Sequence, residues 1–292
     1  VKALIGPTFN LFQRPPLSRV NAIYGLAPTD RLFGNGAVPE NLNDDALGRC
    51  LDDLSELDLE LLFHECSEMA VKKFGFESPI RHGDSTNFSF YGEKKDVPDG
   101  EISPEYGKSK TGRDDLLQYA LQITTDSNRI IRTMRPYKGN AADSTMDGDT
   151  LEFFGEHLSA EERSGMVFVA DSKMATEGNV RKVCDLGMGV VTKCPVKFGD
   201  GFEQRAFEMS KKAEWHRYDV KDHGGEGTKY SVMLCDLDLE ASFGTGRKHR
   251  SMWLRAVVFR RPDEIGPKTE GLKDRFRRLE KRYDDLGRKT FG

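Results

Sequence analysis

Two short segments hold side chains whose types and setting can do chemistry: Arg81-His82-Gly83-Asp84-Ser85-Thr86-Asn87 and Met166-Val167-Phe168-Val169-Ala170-Asp171-Ser172-Lys173. Each sets one aspartate in, or at the end of, a run with strand character. Two carboxylates brought together from two strands of one sheet can hold a divalent cation. Paired cations of this kind activate an attacking oxygen and stabilise a leaving one in phosphoryl transfer. Taken singly, each residue has a plainer alternative. A strand aspartate such as Asp84 also serves turns and sheet edges, because an unpartnered carboxylate is costly in a buried strand. Asp171 ends the apolar run Val167 to Ala170, where sites in open α/β sheets form, yet it is equally placed to cap a helix starting near 176. Lys173 is either a phosphate contact or a solvated cation.

Rival chemistries lack their motifs. The sequence contains no G-x-x-x-x-G-K-[ST], no G-x-S-x-G and no H-E-x-x-H. Gly244-Thr245-Gly246 is followed by Arg247-Lys248-His249, without the third glycine of a dinucleotide fingerprint. The histidines are scattered, and His64 falls in a helical stretch with a structural role. The five cysteines, at 50, 66, 184, 194 and 235, form no C-x-x-C pair. They read as free thiols in a reducing cytoplasm, with zinc at Cys184 and Cys194 poorly supported by the spacing.

The elements that must position the two aspartates follow from periodicity. Asn43 is expected to cap a helix over 44–54, where Leu47, Cys50, Leu51 and Leu54 fall on one face. Ser55 is expected to cap a second helix, through Leu59, Leu62, Phe63, Cys66 and Ala70 to near Gly75. Strands are expected over 79–91, 116–125 and 129–137, the last two joined by a turn at Asp126-Ser127-Asn128. A long loop fills 92–114. A helix over 149–158, a strand over 167–170, a helix over 176–187 and a strand over 189–196 complete the series. The order β-β-β-α-β-α-β is that of a ribonuclease H-like sheet. Residues 199–228 read as irregular, 230–239 and 252–261 as an antiparallel pair, and 268–286 as a basic helix with an apolar seam at Leu272, Phe276, Leu279, Tyr283 and Leu286.

The expected fold is mixed α/β, a ribonuclease H-like core with an N-terminal helical region and a β-rich insertion. The expected divisions are 1–76, 77–198, 199–262 and 263–292. With 292 residues, 37% hydrophobic and 32% charged, the chain can bury a substantial core and has no apolar run near the roughly 20 residues of a membrane span. Its net charge of -4 is unevenly spread, acidic over 40–68 and rich in Arg and Lys over 245–292. A basic face, not net charge, is what nucleic acid feels. Arg247, Lys248 and Arg250 in that stretch are the cations expected to contact phosphate. The chain begins on Val without the form of a secretory signal, so an upstream piece or an unusual start codon is expected.

Six pieces in order carry a family resemblance. They are Arg14-Pro15-Pro16-Leu17-Ser18-Arg19-Val20; Leu42-Asn43-Asp44-Asp45-Ala46-Leu47-Gly48-Arg49 with Leu51-Asp52-Asp53-Leu54; His82-Gly83-Asp84-Ser85-Thr86 with Phe88, Phe90, Tyr91 and Gly92; Gly107-Lys108-Ser109-Lys110 with Arg113, Asp115 and Leu116; Gly139-Asn140-Ala141-Ala142-Asp143; and Val169-Ala170-Asp171-Ser172-Lys173-Met174. With them the chain resembles insertion-sequence transposases of the DDE superfamily, in a branch with an N-terminal helical region.

The resemblance implies that Asp84 and Asp171 are the first two acids of the catalytic triad and ligands of two Mg²⁺ or Mn²⁺ ions about 3.5–4 Å apart. It implies that Ser109, Lys110 and Arg113 face DNA. It further implies cleavage at element ends and then strand transfer, with terminal repeats and target DNA as partners, a homo-oligomer in the active complex and a cytoplasmic, nucleoid-associated location. Thr111 and Asp114 depart from the branch, which tends to have an acid and a proline there. The third acid, a glutamate on a later helix, has no match before Gly292, since the spacing around Glu280 differs. A partial chain, inactive alone, is the expectation. The alternatives are a non-catalytic DNA-binding remnant and a metal-dependent nuclease of the same fold.

Overall fold

The computed structural model describes residues 17–34, 36–93, 97, 101–110, 112–221, 228–244 and 249–260. The chain forms two compact units. One comprises residues 1–171 and 182–191, the other 172–181 and 192–292. Among the described residues no helix is long and apolar enough to cross a membrane.

The first unit opens on short helices α1 (Val20–Tyr24) and α2 (Thr29–Phe33), then α3 (Asp44–Ser55) and α4 (Leu59–Phe74). Val20, Tyr24, Leu42 and Leu47 pack into a small core of their own. The Asn43 side chain accepts from the Ala46 N–H at 2.8 Å, the cap expected for α3. The cap of α4 is Asp58, not Ser55. Asp58 accepts from the Leu61 N–H at 3.0 Å, while Ser55 stays in α3 and donates its hydroxyl to Asp52 O. A carboxylate directly before the Leu59-Glu60-Leu61-Leu62 turn satisfies the orphan N–H groups and also meets the positive end of the helix dipole. Gly75 ends α4 in the left-handed conformation at φ 72°.

A six-stranded sheet follows: β1 (Ile80–Phe90), β2 (Glu105–Tyr106), β3 (Leu117–Thr125), β4 (Ile131–Lys138), β5 (Val167–Ala170) and β6 (Gly189–Thr192). The order is β2-β3-β1-β5-β6, with β4 also on β3. β1, β3 and β4 run antiparallel in turn, and β5 lies parallel to β1. β4 takes residues 119–125 of β3, and β2 takes Leu117 and Gln118 of the same strand. Gly107 and Gly139 sit at this junction. A Cβ on Gly139 would lie 2.0 Å from Gln118 O, and one on Gly107 would lie 2.4 Å from Gly139 O. Backbone approaches backbone there, so only glycine fits.

Helix α4 covers the β4 edge. Ser67 Oγ donates to Ile131 O at 2.7 Å, and His64 Nδ1 lies 3.2 Å from Arg132 O. His64, buried and edge-on to Phe153, is part of the packing. Glu68 pairs with Arg132, and Glu60 with Arg135. Arg132 is 2% exposed and also donates to Asp126 Oδ2 at 3.1 Å, while Asp126 accepts from the N–H groups of Asn128 and Ile130. One buried pair thus ties the β3–β4 turn to α4.

Helix α5 (Asp143–His157) lies between β4 and β5 in sequence, and α6 (Ala160–Arg163) follows it. The expected helix began at 149. The observed one starts at Asp143, because the polar run 143–149 hides a buried stripe of Met146, Asp147, Thr150, Leu151, Phe153 and Phe154. Asp143 in the first turn is also favoured by the helix dipole. Helix α7 (Glu177–Asp185) precedes β6, which stops at Thr192, short of the expected 196.

The second unit holds α8 (Phe202–Ser210) and an antiparallel sheet of β7 (His216–Lys221), β8 (Thr228–Phe243) and β9 (Arg250–Arg260). Cys235, Leu237, Leu239 and Ala241 of β8 are buried and face Val258, Ala256, Leu254 and Met252 of β9. Phe198, Phe202, Ala206, Ala175 and Val180 pack on that face. Residues 199–228 are therefore not irregular throughout. Helix α8 is short and β7 is a polar edge strand, so neither leaves a strong apolar period. All five cysteines are free thiols. The expected helix over 268–286 lies outside the described residues.

Arg132→Ala is expected to lower stability by about 3–5 kcal/mol, since it strands the buried Asp126 carboxylate. Arg113→Ala, which breaks an exposed, solvent-screened pair, is expected to leave stability nearly unchanged. Urea unfolding of the two variants checks this, and equal losses would contradict the assignment of the buried pair.

Candidate active site

The ladder between β1 and β5 pairs Ile80 with Val167, Arg81 with Phe168 and His82 with Val169. β5 then ends at Ala170 while β1 runs on to Phe90. Continuing the register by two residues brings Asp84 opposite Asp171. Both aspartates line one depression at this end of the ladder. Gly83 makes the pairing close. A Cβ there would lie 2.6 Å from the ring of Phe168, which is fully buried and packs edge-on to Phe154 of α5.

A depression at this point is lined by Gly83, Asp84, Ser85, Gln122, Asp143, Asp147 and Asp171. Four aspartates are therefore among the residues that line this depression. Asp84 is largely exposed, and its Oδ1 accepts from the Ser85 N–H at 2.8 Å and from Lys110 Nζ at 2.9 Å. Lys110 also donates to Ser85 O. Ser85 Oγ donates to Asp143 Oδ1 at 2.7 Å. Asp147 lies one helical turn after Asp143, 4% exposed, and its Oδ1 accepts from Gln122 Nε2 at 2.9 Å. Burial pushes the Asp147 carboxyl up to about 7. The Gln122 hydrogen bond opposes this, and the nearby Asp171, Asp143 and Asp84 add to it.

Of the residues singled out by sequence, the fold brings Asp84, Asp171 and Lys110 together or into contact. Ser109 is buried, and its N–H donates to Asp114 Oδ1 at 2.6 Å, which gives Asp114 a turn-holding part in this loop. Arg113 makes a two-point fork to Asp115 at 2.8 Å on an exposed surface, and the fork lowers the Asp115 carboxyl pKa. Arg113 does not line the depression. Lys173 lies in an exposed turn and Arg250 at the start of β9, both in the second unit. Arg250 stands 3.6 Å from Glu177. Arg247, Lys248 and Glu280 lie outside the described residues. Sequence reading missed Asp147 and Gln122 and gave Asp143 no role. The signal was present as Asp143-x-x-x-Asp147, two acids on one helical face, but only for a helix starting at 143.

The donors are hard oxygens in an acidic setting, which suits Mg²⁺ or Mn²⁺. Among the described residues no three His, Cys, Asp or Glu side chains make a ready-formed ligand cluster. The arrangement fits an open site of one or two carboxylates, in which water and substrate phosphate complete the shell, as is usual for Mg²⁺. Asp84 and Asp171 are the residues that would hold the ion.

A family model described as a domain of unknown function, DUF4277, matches residues 1–68. No curated protein matches. Among solved structures, the chain is similar to the Mos1 transposase paired-end complex with left transposon end, at 12% identity over 68% of this chain and 71% of that one, with a TM-score of 0.27. A Mos1 mariner paired end complex with Mn gives 13% identity, 71% and 68% coverage and a TM-score of 0.26. The piggyBac transposase synaptic complex with hairpin DNA gives 11% identity, 87% and 56% coverage and a TM-score of 0.32. These scores are too low to carry a functional argument, which rests on the site's own geometry.

The Asp147 shift has a sign. Folding raises this carboxyl from its ordinary 3.8 to about 7, so the native state binds more protons than the unfolded chain between those values. The group's contribution to stability is complete below about pH 4 and is lost as pH rises through 7. Asp147→Asn keeps the shape and removes the charge, so its Tm is expected to fall less than that of wild type from pH 5 to pH 8. Parallel Tm–pH curves would contradict the buried, raised carboxyl.

Proposed function

We propose that the chain is a DNA transposase of the DDE type, with Asp84 and Asp171 as the first two metal-holding acids of a phosphoryl-transfer site. The observation that carries this reading is the parallel β1–β5 register, beyond whose last pair Asp84 and Asp171 both line one acidic depression. The strand order and directions support a ribonuclease H-like core. In this reading the Ser85 hydroxyl, which donates to Asp143, holds that carboxylate in place, and the attacking group is water or a DNA hydroxyl.

When bound, divalent metal supplies Lewis-acid stabilisation of the charge on the phosphate and lowers the pKa of the attacking oxygen. The protein's own groups prepare for it. Asp84 would present its carboxylate from within β1, and Asp171 from the residue that follows β5. Ser85 holds the Asp143 carboxylate through its hydroxyl, and Gln122 holds Asp147. With a pKa near 7, Asp147 carries a proton part of the time at neutral pH, which limits the negative charge concentrated behind the site. Lys110, poised on Asp84, supplies a cation for DNA phosphate. Lys173 and Arg250 are exposed cations for the same partner.

Calorimetric or electron-spin titration with Mn²⁺ tests the assignment. Wild type is expected to take up Mn²⁺, and Asp84→Asn and Asp171→Asn each to weaken it at least about tenfold, a loss equivalent to roughly 1.4 kcal/mol. Equal binding by all three proteins would remove both residues from the ligand set.

A further inference from the structure

Lys110 stands where a cation is wanted. Its ammonium lies 2.9 Å from Asp84 Oδ1 and also donates to the Ser85 carbonyl. Both acceptors are oxygens of the kind that a hard divalent ion takes. The loop that delivers Lys110 is anchored on either side. Gly107 is wedged against the Gly139 carbonyl, the Ser109 N–H is tied to Asp114, and Leu117 is buried as β3 begins. The lysine itself is different. Its side chain is about half exposed, on a flexible four-carbon stem. The base of the loop is fixed, and the lysine stem itself can carry the ammonium away from Asp84.

We propose that Lys110 couples metal binding to DNA binding: its ammonium holds one carboxylate oxygen of Asp84 in the unliganded protein and transfers to a phosphate oxygen when DNA arrives, opening that carboxylate to the divalent ion. This rests on the metal-site reading above and adds a direction to it. A divalent ion approaching Asp84 meets a unit positive charge already on Oδ1, and like charges at such distances oppose each other. An ammonium has three N–H donors, two of which are used on Asp84 and Ser85. A DNA phosphate offers a competing anion of equal charge. Removing Lys110 from Asp84 in that way lowers the cost of binding metal. By reciprocity, bound metal displaces Lys110 and strengthens its hold on DNA by the same factor. The site then fills fully only when both ligands are present, which guards against metal-loaded but DNA-free protein.

The test measures Mn²⁺ affinity from the free-ion electron-spin signal, with and without a short DNA duplex in Ca²⁺-free, non-cleaving conditions. Asp84→Asn protein with the same duplex corrects for Mn²⁺ held by the DNA itself. Lys110→Met keeps the stem and removes the charge, and Lys110→Arg keeps the charge. Without DNA, Lys110→Met is expected to bind Mn²⁺ roughly fivefold or more tightly than wild type, and Lys110→Arg about as wild type. The duplex is expected to tighten Mn²⁺ binding by wild type and to do so much less for Lys110→Met. Equal or weaker Mn²⁺ binding by Lys110→Met without DNA would overturn the proposal while leaving the metal site standing, as would a duplex that changes nothing in wild type. Absence of Mn²⁺ uptake by wild type and both lysine variants, with and without DNA, would overturn the metal-site reading and this proposal with it.

Discussion

Three parallel residue pairs, Ile80 with Val167, Arg81 with Phe168 and His82 with Val169, fix the geometry on which the site depends. A strand period of two means that a slip of one residue would send Asp171 to the opposite face from Asp84. The register is held by packing. Phe168 is fully buried, fills the space left by the missing Cβ of Gly83 and meets Phe154 of α5. Gly83 is thus more than a neighbour of the acid. It is the gap that lets β5 seat at the register that pairs the carboxylates.

The same packing explains why four acids can share one depression without the fold giving way. Two of them, Asp84 and Asp171, stand at or beyond the end of the β1–β5 ladder, in contact with solvent. Asp143 sits at the positive end of α5 and accepts from Ser85. Only Asp147 is deeply buried, and its raised pKa is the physical response to that position. Repulsion is relieved by protonation in the interior, by a hydrogen bond and a helix terminus at the rim, and by Lys110 in front. On the far side of the sheet order, α4 covers β4 with the Arg132 pair and two hydrogen bonds to strand carbonyls. The strands that carry the site are therefore clamped at the edge that would otherwise be open.

Much of this was legible in the sequence, for identifiable reasons. Strands β1, β3, β4 and β5 have strong alternation or continuous apolar character, and α3 has a recognisable cap and stripe. The pairing of Asp84 with Asp171 follows from one acid in the first strand and one after the fourth. What escaped notice did so because its signal is tertiary. The start of α5 is a largely polar run in which Met146 is the one buried large apolar residue beside Asp147 and Thr150, too little for an apolar period. The α4 cap went to Ser55 because local rules allow either Ser or Asp, and only the length of α3 decides. Helix α8 and strand β7 are short and largely polar; α8 is held by the β8 face it packs on and β7 by its ladder with β8, not by their own patterns. Lys110 was marked as a phosphate contact, but its place on Asp84 depends on a loop closure between residues 107 and 139 that no local pattern reveals.

The account's central claim is that one metal position is shared by β1 and the segment after β5. Metal-centred hydroxyl-radical mapping tests it directly. Fe²⁺ is exchanged into the protein in place of Mg²⁺, peroxide oxidises it and releases hydroxyl radical, ascorbate returns the iron to Fe²⁺, and the backbone cuts are mapped by mass. The account predicts cuts in both segments, around residues 83–85 and 170–172, suppressed together by excess Mg²⁺. Cuts confined to one segment, or found elsewhere in the chain, would contradict it.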